Sequence, residues 1–368
     1  MTSISSVLTE TLDLGLPPIS NFLIKLRSRV VQYKALAYRF WFQCVGNRRA
    51  SPIINGRVLQ TLREAVLPLL EYQESVCNAG MLSTKDGWIC VAKNQRFSLA
   101  HELKRRAPWS RQPPQIMDDS KLLYGLRFDS HWKLQSCKRL NVLVDGRKTM
   151  PSDGVEDVRL FIFGNGIWAY ATGSGNRRSA WPLIGSLSEE GLELRSVVAP
   201  YNPPQKNWMP FVLDGIIFLE YSIRPHTVLQ FDPKSSRCEF SGTSSVEHPG
   251  FEDLELHGGA PAIRLNDEFF LGVGNSQRRF WYQERYYAPV FYIFEAAPPF
   301  AIVRMSQPVR LLSRRERVQY VCGMILSPDR QTLTISYGIA DHENCFVAIP
   351  LSDVLKLAGA NDLFDKAY

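Results

Sequence analysis

Five short clusters stand out, four of them with side chains able to move a proton or to hold an anion and one a run of small residues. They are Glu156-Asp157-Val158-Arg159, Lys206-Asn207-Trp208, Arg224-Pro225-His226, Gly258-Gly259-Ala260-Pro261 and Tyr337-Gly338-Ile339-Ala340-Asp341. A carboxyl such as that of Asp157 can serve as a general acid or base. Lys, Arg and protonated His form charge-assisted bonds that suit phosphate. Each cluster also has a plainer use. Asp157 can cap a turn, Lys206 can be a solvated loop charge, and Arg224 a surface residue. His226 can be a satisfied interior histidine, Gly258 and Gly259 can make a β-bulge, and Trp208 can fill core between sheets.

These clusters flank elements of one repeated design. From Val7 to about Tyr72 the pattern is helical, and Val58, Leu59, Leu62, Val66, Leu67 and Leu70 fall near one face at helical spacing. After Tyr72 the period changes. Gly80–Lys93, Leu160–Ala171, Phe211–Ser222, Ala262–Val273 and Ile325–Gly338 each hold two apolar or aromatic runs around a tight polar turn. Asp-Gly, Asn-Gly and Asn-Asp turns tolerate the positive φ that matches strand twist, so each segment reads as a β-hairpin. The hairpins start at 80, 160, 211, 262 and 325, intervals wide enough for a four-stranded sheet plus loops. That spacing predicts an all-β fold, a five-bladed β-propeller with an N-terminal helical extension. A β-sandwich is the alternative. Strand-like runs at His226–Asp232 and Tyr286–Glu295 would complete blades. The expected division is a helical extension over 1–72, the propeller over 73–357 and a C-terminal tail over 358–368.

Hydrophobic residues make up 45% and charged residues 21% of the 368, the composition of a chain that folds. Its net charge of +7 is concentrated in one stretch. Between Asn21 and Arg49 stand Lys25, Arg27, Arg29, Lys34, Arg39, Arg48 and Arg49 with no acidic residue, interleaved with apolar and aromatic side chains. The rest is balanced, which argues against a nucleic-acid partner. Residues 21–49 read as an amphipathic helix that packs on the body or makes peripheral contact with an anionic membrane. No apolar run reaches the ~18 residues of a spanning helix, and the start lacks the order of a secretory signal, so a cytoplasmic location is expected. Seven scattered cysteines without a CxxC pair read as reduced, mostly buried residues. The six histidines show no ligand spacing, so a metal-independent mechanism without a cofactor is expected.

Taken in order, the clusters resemble the motifs of glycoside hydrolase family 130, the β-mannoside phosphorylases, and the related β-1,2-mannosyltransferases. EDVRLF resembles the family's EDPR segment. KNWMPF, followed about twenty residues later by RPH, resembles its lysine and histidine pair, and SYGIADHENCFVAIPLSDVL resembles its YGAAD segment. The matches span roughly Asn78 to Leu357. The resemblance implies that Asp157 is the sole protein acid or base of an inverting transfer. It further implies that Lys206 and His226, with Arg224, Arg159 and the NRRS arginines Arg177 and Arg178, hold the phosphate of the donor. Asp341, Asn207 and Tyr337 would bind sugar hydroxyls, Gly258 and Gly259 would let the backbone approach the ring, and Trp208 would stack on it. Two departures point to a diverged specificity: Val158 stands for the usual proline, and Asn275 occupies a segment where a histidine is expected.

The leading expectation is therefore an inverting mannosyl- or hexosyltransferase making a β-linkage, a β-1,2-mannoside by the resemblance. Its partners would be GDP-mannose or a sugar 1-phosphate as donor and an oligosaccharide as acceptor. Reversible phosphorolysis of β-mannosides is the second enzyme reading, and a glycan-binding propeller without catalysis the third. Glucose or another hexose fits the residues as well as mannose does.

Overall fold

The computed structural model describes residues 52–71, 75–95, 121–150, 154–173, 180–200, 206–245, 254–279, 285–312 and 318–364. The basic segment 21–49 and the arginines Arg177 and Arg178 lie outside these residues.

Five antiparallel sheets form the blades. Blade I comprises Val76–Thr84, Gly87–Gln95, Lys121–Asp129 and Leu134–Arg139. Blade II comprises Val155–Phe163, Gly166–Gly173, Trp181–Leu187 and Gly191–Ser196. Met209–Leu213, Ile216–Ile223, His226–Asp232 and Arg237–Ser244 make blade III. Glu255–Arg264, Phe269–Arg279, Arg285–Glu295 and Ile302–Met305 make blade IV. Blade V takes Gln319–Leu326, Thr332–Ile339 and Glu343–Pro350, and its fourth, outermost strand is Arg57–Thr61 from the other end of the chain. The first strand of each blade lies beside that of the next, and blade V returns to blade I, so the ring is closed. Each hairpin expected from the sequence supplies the first two strands of one blade, and the runs at His226 and Tyr286 are third strands.

An apolar seam fills each of the five junctions. Val91 and Leu123 meet Leu160 and Leu183 between blades I and II, and Phe161 and Tyr170 meet Trp208 and Leu229 between II and III. Phe211 and Phe218 pack with Phe270 and Phe294 between III and IV. Val273 and Phe291 pack with Val321 and Ile335 between IV and V, and Met81 and Phe128 with Phe346 between V and I. The strand pattern follows from this arrangement: blade faces are covered on both sides, so the first two strands read as near-continuous apolar runs.

Turn chemistry follows residue type. Asp214 and Gly215 adopt φ of 49° and 75° and close the blade III hairpin as a two-residue turn. In blade II the turn falls one residue earlier than an Asn-Gly reading places it. Phe163 pairs with Gly166, and Gly164 takes φ of 57°. The helical reading of Val58–Leu70 needs correction. Arg57–Thr61 is a strand, followed by a short helix at Leu62–Ala65 and a 3-10 turn at Leu67–Leu69. The open edge of Glu343–Pro350 recruits the segment by strand pairing, which outweighs a weak helical preference. The outer strand of blade V thus precedes residue 73. Beyond 357, Ala358 and Ala360 remain buried in the seam between blades IV and V. A further hairpin, Asn141–Val144 with Arg147–Lys148, extends the outer edge of blade II.

Candidate active site

In every blade the first strand begins, and the second ends, at the same face of the ring. Glu156, Asp157, Lys206, Arg224 and Asp341 all fall there, each at a strand start or just beyond a strand end. The start of the first strand is bulged in four blades, at Asn78–Ala79, Asp157–Val158, Gly259 and Cys322. A bulge re-aims the side chains that follow it. Asn78, Asp157 and Asn207 sit at φ of 52°, 54° and 68°, and Asp341 at 58°. Asn and Asp tolerate this left-handed region best among residues with a Cβ, and strained backbone of this kind collects at functional sites.

Asp157 is held from three sides. Asn78 Nδ2 donates to Asp157 Oδ1 at 2.8 Å. Arg159 Nη1 donates to the Asp157 carbonyl at 2.7 Å. Glu156, its other neighbour, has Oε2 only 2.8 Å from Lys121 Nζ and 3.6 Å from Lys93 Nζ. Lys93 also reaches Asp341 Oδ1 at 4.0 Å, the outer limit of an ion pair. One rim therefore brings together Asn78, Lys93, Lys121, Glu156, Asp157 and Asp341. Lys206, exposed beside it, acts on Glu156 through its charge.

Electrostatics separates the roles of the two adjacent carboxyls. Burial pushes Glu156 up, but Lys93, Lys121 and Lys206 more than offset it and hold the carboxyl at about 2. Glu156 is a fixed negative charge and cannot supply a proton near neutrality. Burial also opposes the charge of Lys93, yet Cys77, Glu156, Asp157 and Asp341 outweigh it and keep the ammonium well above the usual lysine range. Burial pushes the Cys77 thiol up to about 12 and the Tyr320 hydroxyl well above its ordinary value, so both stay protonated and neither is a ready nucleophile or base.

The Glu156 clamp has a consequence for acid stability. An ionised carboxyl held at about 2, against an ordinary value of 4.5, contributes fully above that ordinary value and loses its contribution as pH falls towards 2. The shift corresponds to about 3 kcal/mol. Urea unfolding at pH 5 and at pH 2.5 should show this loss in the wild-type protein and not in Glu156→Gln. Parallel losses in both would show that the clamp adds nothing.

Several residues expected at the ligand lie elsewhere. Arg159 is fully buried, and its guanidinium is taken up inside the ring. It donates to the carbonyls of Gly259, Gly258 and Asp157 and to Tyr320 Oη, joining blades II, IV and V. His226 is also fully buried. Its Nδ1 lies 2.6 Å from the Phe300 carbonyl, which can only accept, so Nδ1 carries a proton. Nε2 lies 2.9 Å from Glu220 Oε2, which accepts a second bond from Tyr292 at 2.7 Å, and the group pins blade III to blade IV. Trp208 and Tyr337 have no exposed surface and belong to the apolar seams, so neither ring faces a ligand. Gly258 and Gly259 are packed against protein. A Cβ on Gly258 would come within 1.8 Å of the Asn207 carbonyl oxygen, and one on Gly259 within 2.4 Å of the Val273 carbonyl oxygen. Asn275 bonds Gly258 and Val321 across blades IV and V and is also fully buried. Arg224 is exposed on the site face, and Asn207 is buried at its edge.

Lys93, Lys121 and Asn78 were not singled out by motif order. Lys93 follows the apolar run of the first hairpin within the strand Gly87–Gln95, and a lysine in a buried strand is a signal in itself. Lys121 has no comparable local mark.

No protein-family model matches the chain, and no curated protein matches it in sequence. Its structure is similar to that of the β-1,2-mannobiose phosphorylase from Listeria innocua, with a TM-score of 0.56 and 12% identity over 78% of this chain and 93% of that one. The fold is shared with a sugar phosphorylase. MPT-4, a mannose phosphorylase from Leishmania mexicana in complex with phosphate ion, is similar at a TM-score of 0.49 and 12% identity, over 89% of this chain and 95% of its own. MPT-1, a GDP-Man-dependent mannosyltransferase from the same organism, is similar at 0.49 and 11%, over 86% and 94%. At such identities the likeness concerns the propeller alone. Among the described residues no helix is long and apolar enough to cross a membrane.

Proposed function

We propose that this chain is an inverting glycosyl-transferring enzyme with Asp157 as its acid/base group. It moves a mannosyl or similar hexosyl unit from a sugar 1-phosphate or nucleotide sugar to a glycan acceptor, forming a β-linkage, with a β-1,2-mannoside the leading product. The observation that carries this reading is the placement of Asp157. It is a nearly buried carboxyl in a left-handed bulge of an inner strand, bonded by Asn78, within the field of Lys93, and next in sequence to Glu156, on which Lys93, Lys121 and Lys206 act. The ordered motifs add the mannoside chemistry.

In the synthetic direction Asp157 accepts the proton of the acceptor hydroxyl as that oxygen attacks the anomeric carbon, and the phosphate leaves from the opposite face. In the degradative direction the same carboxyl protonates the glycosidic oxygen while phosphate attacks. A single carboxyl serves both because phosphate needs no base to act as a nucleophile. It needs a cationic recess, to which Lys206, Lys93 and Arg224 contribute. Glu156 is a weak base tied up by two lysines, which argues against it as the second carboxyl that an inverting hydrolase uses to activate water.

The test is to incubate the protein with mannose 1-phosphate or GDP-mannose and mannose or mannobiose. A separate reaction supplies mannobiose with inorganic phosphate. Elongation supports transfer, and phosphate-dependent cleavage places the same chemistry in reverse. Mannose release that ignores phosphate, or no product from any activated hexose, would count against the proposal and favour a binding propeller.

A further inference from the structure

We infer that Lys121 is a positioning residue for Asp157, acting through Glu156 across the junction of blades I and II; the inference rests on the reading of Asp157 as the acid/base group. Lys121 opens the third strand of blade I, and Glu156 is the second residue of the first strand of blade II. Their side chains are 13% and 11% exposed, and Nζ and Oε2 are 2.8 Å apart. Lys93 approaches the same oxygen at 3.6 Å. Two ammonium groups on one carboxylate oxygen leave Glu156 little freedom to turn.

Glu156 is joined by one peptide bond to Asp157, whose φ of 54° allows little adjustment. The direction of the Asp157 side chain is then set by the peptide groups on either side. Arg159 fixes the following one through the Asp157 carbonyl, and the Lys121–Glu156 pair fixes the preceding one. Asn78 seats the carboxylate itself. A bare strut between blades would need no charge at the bulge, whereas here the charge lies next to the reacting group.

The other charged or titratable groups around Asp157 are Lys93 and Cys77 from blade I, Arg159 and Tyr170 from blade II, and Tyr320 and Cys322 from blade V. Against that fixed background the two halves of the pair act on Asp157 with opposite sign. Losing Lys121 removes a positive charge from the bulge. Losing Glu156 removes a negative one and leaves the charges of Lys93 and Lys121 without the carboxylate they share. Either loss weakens the junction, Lys121 leaving the Lys93–Glu156 contact in place and Glu156 leaving neither, so effects of opposite sign at Asp157 mark positioning and not mere support.

The experiment is a pH titration of the full chain labelled with carboxyl-13C aspartate, in which the resonance missing from Asp157→Asn identifies Asp157. Lys121→Met should move its titration midpoint up by at least about half a unit, and Glu156→Gln should move it down by a similar amount. Lys121→Arg should return it to the wild-type position. Should Lys121→Met fail to fold, Lys121→Gln makes the same charge change and carries the same expected sign. Midpoints that stay in place, or move the same way in both variants, overturn the inference. Failure of the acid/base reading is seen separately, because Asp157→Asn would then retain turnover whatever the midpoints do.

Discussion

Asp157→Asn should lower turnover by roughly 10²- to 10⁴-fold, the span of a lost general acid or base, while sugar-phosphate affinity changes by no more than about threefold. The substitution suits the site. Asparagine adopts left-handed backbone as readily as aspartate, and its side-chain oxygen still accepts from Asn78 Nδ2, as Asp157 Oδ1 does at 2.8 Å. Fold and ligand seat are retained while the ionisable proton is lost. Steady-state kinetics and isothermal titration with mannose 1-phosphate separate the two. Turnover within about threefold of wild type would remove Asp157 from the chemistry.

The second large effect concerns stability. Arg159 has no exposed surface, and it ties three blades through the Gly258, Gly259 and Asp157 carbonyls and Tyr320 Oη. Burial disfavours its charge, but Tyr320, Cys322, Asp157 and Tyr170 outweigh burial and raise its titration above the ordinary arginine value. Arg159→Met takes the guanidinium donor from the Gly259 and Asp157 carbonyls, at about 1–3 kcal/mol each, while the Gly258 carbonyl keeps Asn275 Nδ2 and Tyr320 Oη. A fall in melting temperature of roughly 5–10 °C is expected. Arg159→Lys should recover only part of it, because a single ammonium cannot span a planar fork of donors. A melting temperature within about 2 °C of wild type for Arg159→Met would mean that the inner ring is held by its apolar seams alone.

The ring was readable from the hairpins because turn chemistry is local. Asp214-Gly215 announces its turn wherever it occurs. The strand Arg57–Thr61 was not readable, since its conformation is decided by a partner at Glu343–Pro350 that no local pattern reveals. The motif clusters gather at one face of the ring, but their order does not give the direction of each side chain. Along a strand, direction alternates with period two, and the bulges at Asp157 and Gly259 shift that phase. Arg159, two residues past the Asp157 bulge, turns into protein for this reason, and His226, Trp208 and Tyr337 are buried as well. The buried partners of His226, Glu220 and Phe300, come from a neighbouring strand and another blade, and nothing near RPH foretells them. Lys121 was invisible for the opposite reason: its meaning lies wholly in Glu156, on a different blade.

The most direct measurement is a crystal structure of Asp157→Asn soaked with mannose 1-phosphate. The sugar should lie at the face where the first strands begin, its phosphate towards Lys206 and Lys93, and the opposite face of its anomeric carbon turned towards the side chain at position 157, with room between them for an acceptor hydroxyl within about 3 Å of that side chain. A sugar on an outer strand, or none at that face, would contradict the account.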